Sequence, residues 1–263
     1  MIEFQDVTKV FEEDVVLNRV SFRISRGETK IIVGASGSGK STILKLILGL
    51  IRPDSGSIFI EGQDITQMQE RELVQVRKKI GMVFQEGALF DSMSVRENVG
   101  YRLFEESRLS DEQIEAAVRR LLGFVGLEDA IEKMPGELSG GMKRRVGIAR
   151  ALVTTPRIIL YDEPTAGLDP ITKRHIVELM IKLRDLEGVT SVFVTHDLQA
   201  AGIIATSYAV ANGNGSIRFL NSGENLCLCN IHFIMLQEGA ICFQGRYDEL
   251  ISSSDPYVRA FMT

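Results

Sequence analysis

Gly34-Ala35-Ser36-Gly37-Ser38-Gly39-Lys40-Ser41-Thr42 (GASGSGKST) follows the apolar run TKIIVG (29–34) and precedes a stretch with Ile43, Leu44, Ile47 and Leu48 on one helical face. Strand, glycine-rich turn, then helix is the order in which main-chain N–H groups can converge on a phosphate. Glycines at 34, 37 and 39 let the main chain curl inward, and the helix N-terminus adds positive potential. Lys40 would reach the β and γ phosphates of a nucleotide, and Ser41 would ligate a divalent cation. The bland alternative, a glycine-rich turn that binds nothing, is disfavoured because every fixed position of G-x-x-x-x-G-K-[ST] is present in the right context.

A phosphate cradle alone does not hydrolyse. RIILYDEP (157–164) supplies an apolar strand ending in two adjacent carboxylates. Asp162 would hold Mg²⁺ at the strand's C-terminal edge, and Glu163 would polarise the attacking water. Phosphoryl transfer needs mainly positioning and charge neutralisation, so one carboxylate beside the metal suffices. By itself such a pair is more often a solvated strand end; behind four apolar residues, and together with the loop above, it reads as chemistry.

Outward from these two stretches the chain alternates strand and helix. IEFQDVTKVF (2–11) and VLNRVSFRIS (16–25) read as strands, the second with Val20, Phe22 and Ile24 alternating. Lys40 to Leu50 reads as a helix broken by Pro53 to Gly56, and SIFIEG (57–62) as the start of a small strand pair. From Glu86 to Arg150 the chain turns helical and charged. Ser110-Asp111-Glu112-Gln113 is a capping box. Ile114, Ala117, Val118, Leu121, Leu122 and Val125 form a 3.6-period stripe, closed by Gly126. Strand–helix alternation returns with RIILY, a helix from Ile171 to Leu186, TSVFVTH (190–196) and a helix from Leu198 to Ala205. This pattern predicts an α/β layered core with a parallel sheet.

Composition narrows the classes. The chain has 263 residues, 44% apolar and 25% charged, with a net charge of −5. An acidic chain argues against general nucleic-acid binding. MIEFQDVTKVF lacks a secretory apolar core, and Ile43–Ile51, interrupted by Lys45, is too short to span a bilayer. The expectation is a cytoplasmic chain whose membrane role comes through a partner. Cys227, Cys229 and Cys242 fit no disulfide framework; Cys227-x-Cys229 near His232 lacks zinc-site spacing and reads as ordinary thiols.

ELSGGMKRRVGIAR (137–150) holds a second turn built like an anion site, Ser139-Gly140-Gly141, opening onto a basic helix. Together with the loop at 34–42 and the Asp-Glu strand, Leu138-Ser139-Gly140-Gly141 resembles the ATP-binding cassette family over nearly the whole chain. The resemblance implies a P-loop NTPase (RecA-like) core over 1–85 and 151–263, with a small antiparallel β subdomain near the N-terminus. It also implies an inserted helical subdomain over 86–150. ATP and Mg²⁺ are the implied ligands. The second loop is then not for the chain's own nucleotide: two copies meet head to tail, and Ser139, Gly140 and Gly141 of one close over the γ-phosphate held by Lys40 of the other. Phe11, 23 residues before Gly34, matches an aromatic that stacks on adenine, against the plainer reading of a core residue. Gln85 matches the glutamine that meets Mg²⁺ and the attacking water. Asp169 matches the loop that crosses between subunits, and His196 the histidine that contacts the γ-phosphate and Glu163.

FQEGALFDSMSVRENVGYRL (84–103), LSGGMKRRVGIARAL, YDEPTAGLDPI and the closing DPYVRAFMT look most like the ATPase of lipid transporters that work with MCE-domain proteins. That resemblance implies peripheral attachment at the cytoplasmic face of the inner (plasma) membrane, under an integral-membrane permease. The permease would dock near Gln85 to Tyr101, where Leu89, Phe90, Met93 and Val95 are either contact residues or internal packing. A soluble single-cassette ATPase of the iron–sulfur assembly type, or a transporter ATPase for another substrate, stays open. A pseudo-enzyme is disfavoured because Lys40, Asp162, Glu163 and His196 are intact. One departure stands out. SYAVANGNG (207–215) occupies the place of the family's next strand, and IHFIMLQEG (231–239) repeats the pattern. Residues 207–231 therefore read as an added hairpin or loop, with the register of the last strands undecided.

Overall fold

The computed structural model describes residues 1–106, 108–212, 216–221 and 230–262. In chain order the first elements are β1 (Ile2–Phe11), β2 (Asp14–Ile24), β3 (Thr29–Gly34), α1 (Lys40–Ile47), β4 (Ser55–Ile60), β5 (Gln63–Asp64), α2 (Glu70–Arg77) and β6 (Ile80–Val83). The helical stretch follows with α3 (Val95–Glu106), α4 (Asp111–Phe124) and α5 (Gly140–Leu152). The remainder is β7 (Ile158–Asp162), α6 (Pro170–Glu187), β8 (Thr190–Thr195), α7 (Leu198–Thr206), β9 (Ser207–Ala211), β10 (Ile217–Asn221), β11 (Ile231–Gln237), β12 (Ala240–Gly245), α8 (Tyr247–Ile251) and α9 (Pro256–Met262).

The central sheet runs β12-β11-β3-β8-β7-β6, parallel except for the antiparallel β11–β12 pair. β3 and β8 lie in the middle of the sheet and are buried at every position, without alternation. The period of two still sorts their side chains. Ile31, Val33, Tyr161 and Phe193 face a core shared with α5, α6 and the helical stretch, with Tyr161 and Phe193 stacked at 4.2 Å between ring centroids. Ile32, Leu160, Val192 and Val194 face a second core with α1 and the antiparallel sheet β2-β1-β4-β5. The sheet thus separates two hydrophobic cores.

Local signals act where the sequence places them. Ser110 accepts from the Gln113 N–H, and the Gln113 side chain accepts from the Ser110 N–H, so α4 starts one residue later. Asp169 caps α6, with Pro170 in its first turn and Gly188 at its C-terminal end. The first helix is shorter than its apolar stripe suggests. It ends at Ile47 because Gly49 turns left-handed (φ 60°), leaving Leu50 exposed. The short α2 and β6 carried no distinct sequence signal.

Tertiary contacts resolve the duplicated pattern near the C-terminus. IHFIMLQ is the core strand, pairing with β3 from Ile231↔Thr29 to Leu236↔Gly34. Among the described residues SYAVA pairs with β10 alone, in a separate two-stranded sheet with Ser207 opposite Asn221. Arg184 fastens this hairpin to α6: its Nη1 donates to the Ile204 carbonyl (2.6 Å) and Nη2 to the Ser207 carbonyl (2.6 Å). Neighbouring Asp185 accepts from Arg184 (2.6 Å) and from the Ala209 N–H (2.8 Å). Cys227 and Cys229 lie outside the described residues; His232 Nδ1 lies 3.1 Å from Glu28 Oε1. Among the described residues no helix is long and apolar enough to cross a membrane.

Candidate functional site

The turn after β3 puts Gly37 and Gly39 at φ 80° and 96°, conformations that a side chain disfavours. A Cβ on Gly39 would also lie 2.7 Å from the Val16 carbonyl oxygen. Gly39 is the N-cap of α1 and offers no side-chain bond, so the first N–H groups of that helix lack a capping side chain. The Ser38 hydroxyl is buried without a hydrogen-bond partner among the described residues. Lys40 Nζ donates to the carbonyls of Gly34 (2.8 Å) and Ala35 (2.8 Å). Burial lowers the pKa of this amine, while Glu163 and Asp162 pull it back up. A lysine held at the mouth of a ring of uncapped donors is an arrangement that fits an anion with several oxygens.

The opposite wall is acidic. Ser41 Oγ donates to Asp162 Oδ1 at 3.0 Å. Burial raises the Asp162 pKa, as does adjacent Glu163; the Ser41 bond and Lys45 and Lys40 oppose this. A hydroxyl and a carboxylate that gains from nearby positive charge make an oxygen donor pair of the kind Mg²⁺ takes. Glu163 has φ 46°, a left-handed main chain that costs a residue of this type about 1 kcal/mol or more. The carboxylate is over-determined there. It accepts from Thr195 Oγ1 (3.2 Å) and the His196 N–H (3.3 Å), and His196 Nδ1 lies 2.9 Å from its other oxygen. The next residue, Asp197, bonds Lys173 on α6 at 2.6 Å and the Ala200 N–H at 3.0 Å.

A cleft of about 560 Å³ joins these groups, lined by Val16, Ser36, Gly37, Gly39, Lys40, Ser41, Thr42, Gln85, Asp162, Glu163 and His196. Val16 had no sequence signal beyond its place in a strand, and Thr195 none beyond its neighbour His196. Ser139, Gly140, Gly141, Asp169 and Phe11 are not part of the lining. Phe11 is 43% exposed beside Lys9, so the plain core reading does not hold. Val95 is fully buried and belongs to internal packing, whereas Phe90 is 43% exposed. Asp169 accepts from the N–H groups of Ile171 (3.1 Å) and Thr172 (3.0 Å), which give it a capping role within its own chain.

Ser139 caps α5, accepting from the Met142 N–H at 3.3 Å. The two glycines behind it differ. A Cβ on Gly141 would meet Thr172 Cγ2 at 2.2 Å, so packing inside the chain requires its small size. A Cβ on Gly140 would meet nothing within 4 Å among the described residues.

Comparison with known proteins agrees with this geometry. Residues 17–166 match the model of the ABC transporter family. The chain is 41% identical to protein TRIGALACTOSYLDIACYLGLYCEROL 3, chloroplastic, of Arabidopsis thaliana, across 100% of the chain and 73% of that protein. It is 35% identical to the probable ribonucleotide transport ATP-binding protein mkl of Mycobacterium bovis, across 99% of the chain and 66% of that protein. Its fold matches the dimeric structure of a post-hydrolysis state of an ATP-binding cassette bound to ADP and Pi, with a TM-score of 0.78 and 33% identity, covering 94% of this chain and 98% of that one. A phosphate cradle, a facing carboxylate pair and these similarities lead to one assignment: the chain belongs to the ABC transporter family, as an ATPase cassette that works on ATP with Mg²⁺.

Proposed function

We propose that this chain is the ATP-hydrolysing subunit of a lipid transporter, dimerising head to tail around two ATP molecules beneath a membrane permease. The observation that carries the composite site is Gly140. A glycine in a helix costs about 0.5–1 kcal/mol relative to alanine. Among the described residues nothing of its own chain comes near enough to require it. An exposed helix start kept bare, with a serine beside it, suits close approach by a phosphate held on another copy. In this reading Lys40 and the N–H groups from Gly34 to Thr42 bind the triphosphate, and Phe11 stacks on the adenine. Ser41, Asp162 and Gln85 hold Mg²⁺, which neutralises charge on the phosphate oxygens when bound. Glu163 is the general base. His196, with Nδ1 beside Glu163, keeps Nε2 for the γ-phosphate, and Asp169 crosses to the other subunit.

Mixing two inactive variants tests the arrangement. Ser139→Arg should keep nucleotide binding and lose hydrolysis; Lys40→Ala should lose both. A one-to-one mixture contains a hybrid dimer with one whole site, and regains measurable ATPase activity. A mixture as silent as its components would refute shared sites.

Lipid as cargo is supported by whole-chain similarity to a plant protein named for a galactolipid. The similarity to mkl, named for ribonucleotide transport, favours a second reading with a nucleotide cargo. Reconstitution with a membrane permease that co-purifies with this chain separates the two: ATP-dependent movement of labelled phospholipid supports lipid transport, and movement of labelled ribonucleotide alone refutes it. An MCE-domain protein is the third expected component.

A further inference from the structure

Arg144 lies in the second turn of α5 and is 7% exposed. A guanidinium so far from water needs acceptors matched to its planar fork. Its Nε donates to the main-chain carbonyl of Gln85 and its Nη2 to that of Ala166. These acceptors belong to different loops, one following β6 and one between Glu163 and Asp169. The Gln85 loop is fastened to α5 further along as well. Arg150 Nη1 donates to the Ala88 carbonyl and Nη2 to that of Gly87, both at 2.8 Å. A Cβ on Gly147 would come within 3.2 Å of Gly87. The Arg150 side-chain bonds and the close approach at Gly147 reach that loop; Arg144 also holds the second one.

We propose that Arg144 is a positioning residue for hydrolysis. Its guanidinium sets the distance between the loop that carries Gln85 and the loop that follows Glu163, and ties both to the helix that begins at Ser139. Lysine should not replace it, because its donors share one nitrogen on a flexible stem, whereas here two separate nitrogens of a rigid planar fork, Nε and Nη2, each meet a carbonyl on a different loop. This inference rests on the role proposed above for Gln85, and the test keeps the two apart.

The full chain is compared as wild type, Arg144→Met, Gln85→Ala and the double variant, by kcat and KM for ATP hydrolysis and by thermal melting. Arg144→Met should lower kcat about tenfold with KM within about twofold, since a group acting on transition-state geometry moves kcat first. Gln85→Ala should lower kcat about tenfold or more in the wild type, but less than about twofold on top of Arg144→Met, because coupled positions are not additive. Arg144→Lys should resemble Arg144→Met; if the methionine variant does not fold, the same cycle is run with lysine. Full additivity, an unchanged kcat in the Arg144 variants, or rescue by lysine overturns the inference. An unchanged kcat in Gln85→Ala alone overturns the role of Gln85 first, and this inference with it.

Discussion

Two helices in this chain start at a glycine, α1 behind Gly39 and α5 at Gly140, and they differ in what their own chain places around them. At α1 this chain places several walls of its own: the curled turn after β3, Lys40 folded onto its carbonyls, Ser41 bonded to Asp162, and β2 closing behind Gly39. At α5 the start is capped by its own serine, and its outer side is open at Gly140. The first is a site with walls, the second a surface without an opposite wall. A helix terminus by itself supplies only donors and a dipole. What surrounds it decides whether it binds alone or only on meeting another surface.

The largest expected effect breaks chemistry at the α1 site while leaving binding alone. Glu163→Gln should lower kcat by about 10³-fold, in line with the loss of a general base. ATP affinity should remain within a few-fold, and ATP should now shift the chain to a dimer in sedimentation. Turnover near wild type would remove Glu163 from its role.

The two signature glycines sharpen the comparison. Gly141→Ala should destabilise the fold by about 1–3 kcal/mol, because its methyl overlaps Thr172, and this is read from the denaturation midpoint. Gly140→Ala should leave stability unchanged or raise it by up to about 1 kcal/mol. It should nonetheless lower hydrolysis about tenfold, the cost of a lost transition-state contact worth about 1.4 kcal/mol. Equal stability losses at both positions would mean that Gly140 also serves the interior of its own chain.

The smallest effect lies at the joint between the two regions. Burial drives the Asp197 pKa up, but Lys173, the Ala200 N–H and Thr165 together outweigh it, so the pKa ends below its usual value. A carboxylate depressed on folding contributes stability that is present above the unfolded pKa, about 3.9, and is lost as pH falls through the lower folded value. Asp197→Asn should therefore be less stable at neutral pH by about 1 kcal/mol. The gap to wild type should narrow below about pH 4. A gap of constant size across that range would show that the charge of Asp197 is not the stabilising element.

Much of this was legible because the signals are local. The capping box at Ser110, the buried runs of β3, β7 and β8, and the glycine spacing at 34–39 each involve residues close in sequence. What stayed hidden depends on distant partners. SYAVA and IHFIMLQ read alike as strands, and only the neighbour decides: Met235 and Leu236 are fully buried beside β3, while Val210 is 39% exposed. Phe11 is aromatic yet exposed, against the bias that counts aromatics as core. Gly140 and Gly141 are adjacent and identical, yet only one meets Thr172, thirty-one positions later in the chain. Arg144 sits in a run that reads as a basic helix face, and its two acceptors are 59 and 22 residues away. The left-handed main chain at Glu163 leaves no trace in composition at all.

The β9–β10 hairpin brings Asn221 back opposite Ser207 and is pinned at its base by Arg184. Arg184 is fifteen residues past Asp169, about 22 Å along α6 at 1.5 Å per residue. Ile217, which pairs with Ala211, lines a groove with Arg145, His175 and Glu178, so from its base at Arg184 the hairpin runs back along the flank of α6. A label attached near Ala211 would therefore report on the flank of α6 and on Arg145 of α5 rather than on open solvent.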